Sequence, residues 1–153
     1  MKKLTALLTA VLLTFSLTAC KTDTAAAPAA EDGQNPVMNF VGVYECERAS
    51  ILVEAKGQNE AAFTVNWGSS ASENTEWTMS GTFDEEGLYV YYSDCVRRDL
   101  VYNEDGSIKE ETKVYTGGKG SIIFKDDGAL TLTWDDQAEH AADGMTFTYL
   151  LNN

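Results

Sequence analysis

From Phe40 to the C-terminus, apolar side chains recur at every second position, and this period constrains the fold more than any other feature of the chain. Phe63, Val65 and Trp67 alternate with small or polar neighbours, as do Trp77 and Met79 on the way to Phe83. The same pattern returns at Leu88, Val90 and Tyr92, at Leu130, Leu132 and Trp134, and at Met145, Phe147, Tyr149 and Leu151. Side chains two apart lie on one face of an extended chain, so each run reads as a strand with one buried face. Turn sequences separate the runs: Lys56-Gly57-Gln58-Asn59, Asp84-Glu85-Glu86-Gly87, Asn103-Glu104-Asp105-Gly106 and Asp126-Asp127-Gly128. The spacing predicts roughly nine or ten short strands, over 40–47, 50–56, 61–67, 75–83, 87–95, 97–103, 108–116, 119–125, 129–134 and 145–151. Only Gln137–Ala142 has the composition for a helical turn. Without crossover helices the strands must be mainly antiparallel. So many strands in one small domain leave exposed edges unless the sheet closes on itself. The expected fold is therefore all-β, a small antiparallel meander β-barrel, with a sandwich as the second choice.

The first residues are of a different kind. Lys2 and Lys3 precede an apolar run from Leu4 to Phe15 and then small residues, the order of a secretory signal. The stretch from Leu4 to Ala19, with four threonines, is too short and too polar for a spanning helix, which needs about 20 apolar residues. Leu17-Thr18-Ala19-Cys20 resembles the lipobox of bacterial lipoproteins. That resemblance implies removal of residues 1–19 and a diacylglycerol, with its palmitate-type chains, on the Cys20 thiol. Two acyl chains anchor firmly where one binds only marginally, so the expected location is the cell membrane or outer membrane, facing away from the cytoplasm. Residues 21–38 are small and polar with two prolines, the composition of a flexible tether with a reach of roughly 20–25 Å. The expected organisation is a signal peptide over 1–19, lipidated Cys20 and tether over 20–38, and the barrel over 39–153.

Charge limits the partners. The chain carries a formal charge of −13, and loss of Lys2 and Lys3 with the signal leaves 9 basic against 24 acidic groups, or −15. Such a surface repels nucleic-acid phosphates and anionic headgroups and admits a cationic protein or peptide, a polyamine or a metal ion; a small-molecule ligand in the barrel mouth is also open. With Cys20 assigned to lipid, Cys46 and Cys95 are left as a pair in a compartment that permits disulfides. A bridge between them would close a loop of about 50 residues and add roughly 4 kcal/mol. Buried thiols are the competing reading.

Several constellations bear on chemistry. Phe40-Val41-Gly42-Val43-Tyr44 resembles the Gly-x-Trp opening of lipocalin-type barrels, with tyrosine for tryptophan; it implies a glycine that lets the barrel base pack closely and an aromatic plug. Tyr44-Glu45-Cys46, Ser80-Gly81-Thr82-Phe83 and Tyr115 followed by Lys119-Gly120 resemble motifs of the membrane-bound inhibitors of c-type lysozyme, with looser spacing. That resemblance makes Ser80 and Lys119 the candidate partner contacts. Asp135, Asp136, Glu139 and His140 crowd one connector around the sole histidine, which reads as a solvated acidic segment, since calcium needs six or more converging oxygens. Gly-x-Ser-x-Gly is missing around Ser69–Ser72, and one histidine gives little scope for a triad. Trp67, Trp77 and Trp134 offer a sugar-stacking face, but their alternation assigns them to the core. The expectation is a monomeric, non-catalytic binding barrel without cofactor or metal. An inhibitor of c-type lysozyme and a hydrolase of envelope polymers are the alternatives.

Overall fold

The computed structural model describes residues 35–84 and 86–150. The signal segment, Cys20 and residues 21–34 of the expected tether lie outside the described residues. The domain is an all-β meander of eight antiparallel strands closed into a barrel in the order β1-β2-β3-β4-β5-β6-β7-β8. The strands are β1 (Gly42–Cys46), β2 (Ala49–Ala55), β3 (Glu60–Gly68), β4 (Glu73–Phe83), β5 (Tyr89–Tyr102), β6 (Ile108–Asp126), β7 (Leu130–Asp136) and β8 (Phe147–Tyr149). Closure is made by β1 against β8, with Tyr44 opposite Tyr149 and Glu45 opposite Thr148. The barrel thus stands and the sandwich does not.

Two details differ from the sequence expectation. Segments 87–95 and 97–103 are one strand, β5, and 108–116 and 119–125 are one strand, β6. Local bulges, not turns, interrupt their polarity. On β5 the residues Ser93 and Asp94 are both exposed between buried Tyr92 and Cys95, and the register with β6 shifts there. One extra residue bends the strand without ending it. Regular structure also begins ahead of the expected tether boundary at 38. Asn35 caps a 3-10 turn, Pro36–Asn39, by accepting the Val37 N–H, and Val37 is fully buried. Gln137–Gly144 is a series of turns and not a helix.

Alternation delivers the core. Ala49, Ile51 and Val53 of β2, Ala61, Phe63 and Val65 of β3, and Trp77, Met79 and Phe83 of β4 all point inward and are buried. Phe124 lies at the centre of an aromatic cluster, its ring centroid 4.5 Å from Phe40, 5.5 Å from Phe83 and 5.9 Å from Tyr44. Each side chain of this size removed from water contributes about 1.5–3 kcal/mol. Val37 and Phe40 close one end; Ala142, in the β7–β8 connection, is buried at the other.

Gly42 performs the role expected at the barrel base. Its φ of 144° suits glycine, and a Cβ there would strike the Tyr149 ring. Two residues on, Tyr44 is wholly buried and its hydroxyl donates to the Phe40 carbonyl at 2.9 Å.

Candidate functional site

The inward-facing positions do not stop where the core stops. Strand register aligns them in rows around the wall. One row runs Ile51, Val65, Trp77, Arg97, Tyr115, each directly opposite the next. The row above it runs Cys46, Ala49, Trp67, Thr75, Asp99. Core hydrophobics fill the first row on β2, β3 and β4; on β5 the same row presents a guanidinium. The upper row is half open. Together they form the barrel rim, and Glu139 and Ala141 of the β7–β8 connection lean over it.

A cleft of about 310 Å³ opens between Trp67, Thr75, Trp77, Arg97 and Glu139. Arg97 governs it. Its Nη1 binds Glu139 at 2.7 Å and its Nη2 binds Asp99 at 3.0 Å, while its guanidinium lies 5.6 Å from the Trp77 ring centroid. A planar fork pinned at both ends over an aromatic face has lost its mobility before any ligand arrives. The Arg97 Nε is buried and has no hydrogen-bond partner. Thr75 Oγ1 donates to Asp99 at 3.1 Å and so fixes that carboxylate. Trp67 stands edge-to-face with Trp77, centroids 6.5 Å apart, and Trp77 likewise with Trp134 at 5.3 Å.

Beneath the cleft lies a buried polar layer. Trp77 Nε1 donates to the Tyr115 hydroxyl at 3.1 Å, and that hydroxyl faces both Asp136 oxygens at 3.4 Å. Asp136 is the one fully buried acid among the described residues. It accepts the Ala138 and Glu139 N–H groups at 3.1 and 3.2 Å, a local turn that orients Glu139 toward Arg97. Trp134 Nε1 donates to the Tyr92 hydroxyl at 2.9 Å, which donates to the Asp135 carbonyl at 3.1 Å. Burial raises the pKa of Tyr92 and Tyr115 well above the usual tyrosine value, with nearby Asp136 adding to it. Burial likewise pushes the Cys95 thiol up to about 12, again helped by Asp136.

The residues singled out in the sequence are spread over the molecule. Cys46 and Cys95 are free thiols, so the expected bridge is not formed. Their strands β1 and β5 lie four apart around the ring, whereas a disulfide needs Cα atoms about 4.4–6.8 Å apart. Ser80 sits within β4, its Oγ donating to Asp94 at 2.6 Å, and Lys119 sits exposed within β6. Both are on the outer wall in mid-strand and neither is on a projecting loop. The four acidic-connector residues diverge: Asp136 turns inward and Glu139 goes to Arg97, while Asp135 and His140, with Asp143, stay exposed. His140 Nδ1 stands 3.5 Å from Asp143 and 4.0 Å from Asp135. Trp77 and Trp134 are core as expected, and Trp67 is only partly buried.

Sequence reasoning passed over Arg97, Asp99 and Thr75. From Val90 and Tyr92 a strict period of two would turn Asp94, Val96 and Arg98 inward. The bulge at Ser93–Asp94 moves the inward phase to Cys95, Arg97 and Asp99. Two adjacent polar residues between two apolar ones were the available signal. No known protein family, curated protein or solved structure matches the chain.

Proposed function

We propose that this chain is a lipid-anchored envelope protein whose barrel acts by binding, without catalysis, through its rim cleft and not through its interior. The observation that carries this reading is the filled barrel. Trp134, Tyr44, Phe63, Phe124 and Phe147 are all under 2 % exposed and occupy the space that a ligand-carrying barrel leaves open. The cleft supplies what the interior lacks: an aromatic wall, a fixed guanidinium and hydroxyls within one concavity. Asp99 and Glu139 bind the same guanidinium, an arrangement that suits recognition better than the paired free carboxylates of glycoside hydrolysis. Mid-strand placement of Ser80 and Lys119 likewise gives lysozyme inhibition no protruding loop to work with. Anchoring rests on the lipobox resemblance at Cys20, and among the described residues no helix is long and apolar enough to cross a membrane. Intact-mass measurement of the membrane-extracted protein tests it. A mature chain starting at Cys20 and carrying diacylglycerol mass is expected; an unmodified Cys20 would remove the anchor from the account.

A further inference from the structure

The rim carries more than one cleft. A second, also of about 310 Å³, shares Ser69, Thr75 and Arg97 with the first and adds Glu73, Asn74 and Asp99. A third, of about 600 Å³, continues at Ser72 and Tyr102, the residues adjoining Glu73 and Val101 of the second. Each of the first two has room for a small ring, and neighbouring clefts of equal size favour an occupant built of repeating units. The lining narrows the chemistry. Trp67 provides an apolar ring at one end and Tyr102 at the other, with Ser69, Thr75 and Asn74 between them. Sugar rings pair an apolar C–H face with equatorial hydroxyls, and aromatic walls beside short polar side chains answer both. Glu73, Asp99, Glu104 and Glu139 stand against the single cation Arg97. A net charge of this sign, on a chain of −13, excludes phosphorylated or uronic-acid polymers.

We infer that the row of rim clefts binds a glycan chain free of acidic groups, with one sugar ring against Trp67 and the next beside Thr75 and Asn74. The inference rests on the rim cleft being the binding site proposed above. Arg97 is held in place by Asp99 and Glu139, and the Thr75–Asp99 bond fixes that geometry further, so the polar floor of the clefts is set before a glycan arrives.

The three tryptophans give three indole N–H signals, and these make the test direct. The full chain, held in a sugar-free detergent micelle, is titrated with chitohexaose, with its deacetylated cationic counterpart, with hexagalacturonic acid and with hexalysine. Chitohexaose is expected to shift the Trp67 indole saturably and to leave the indole of Trp134, bonded to Tyr92 in the core, in place. The cationic hexamer should bind at least as tightly at low salt, and the galacturonate should not bind. Trp67→Ala should weaken chitohexaose roughly tenfold or more, and Trp67→Phe, which keeps a ring, should weaken it much less. Exposed Glu73 offers a variant that leaves the core untouched: Glu73→Gln should weaken the cationic hexamer more than the neutral one and so lower the preference between them. A Trp67 signal that answers to hexalysine or to galacturonate but not to chitohexaose, or to no glycan, overturns the glycan assignment. Shifts confined to the outer-wall residues Tyr89 and Tyr91 overturn the rim cleft itself.

Discussion

At the scale of single residues, the site depends on a few side chains whose partners hold them in place. Arg97 is the clearest case, anchored by two carboxylates and resting on Trp77. Gly42 is another: its backbone angle and the Tyr149 ring both demand glycine, and this much was legible from the Gly-x-aromatic opening. Gly42→Ala is expected to cost about 2–4 kcal/mol in urea unfolding; a loss below half a kcal/mol would mean the strand can shift away. Titration offers a second check. Cys95 ionises in the fold only near 12, against 9.0 for a free thiol, and Tyr44, Tyr92 and Tyr115 are also held up by burial. Between these values the unfolded chain releases protons that the fold retains, so stability must fall as pH rises. The urea midpoint is expected to be level up to about pH 9, to decline above it, and to decline more steeply once tyrosines join above about 10. A midpoint unchanged to pH 11 would contradict the burial of these groups. Cys95 should likewise resist thiol reagents at pH 8 while partly exposed Cys46 reacts first.

Individual strands explain why the site was harder to read than the fold. Every strand that alternates cleanly, β2, β3, β4 and β7, was visible in the sequence, since a period of two has one structural meaning. The bulged strand β5 was read as two strands, because one extra residue reverses which side chains face inward and so conceals Arg97 and Asp99. Strand β6 shows a different feature. Its pairing with β7 begins only at Gly120, so among the described residues Ile108–Gly118 pairs with β5 on one side and with no strand on the other. Exposed Ile108 and Val114 lie on this edge with Lys109, Glu110, Glu111 and Lys113 around them. Several register shifts against β5 occur along it as well. Charges and bulges are the usual means by which an edge avoids pairing with another chain. Replacing Lys109 and Lys113 together by threonine is expected to produce dimers or larger species in sedimentation velocity, at concentrations where the parent protein sediments as a monomer. A variant that remains monomeric would show that the twist of the edge suffices by itself.

For the whole molecule, closure and a solid interior decide where function can reside. Eight strands give a barrel whose inside is just filled by side chains, and here the aromatic cluster around Phe124 does the filling. Phe124→Ala is expected to cost about 3–5 kcal/mol in chemical denaturation without altering the indole signal of Trp67 at the rim. A loss under 1 kcal/mol would indicate a loosely packed interior. Alternation and strand number announced the closed sheet and composition its acidic exterior, but whether the barrel was hollow depends on how side chains from eight strands meet, which no local pattern records.

The barrel is solid, and the ligand site proposed for it is on the rim. Acrylamide quenching of single-tryptophan variants tests this most directly. With Trp134 alone retained, fluorescence should be nearly insensitive to the quencher; with Trp67 alone retained, it should be quenched readily, in keeping with their burial. A Trp134 quenched as freely as Trp67 would mean a water-filled interior, and the site would then belong inside the barrel.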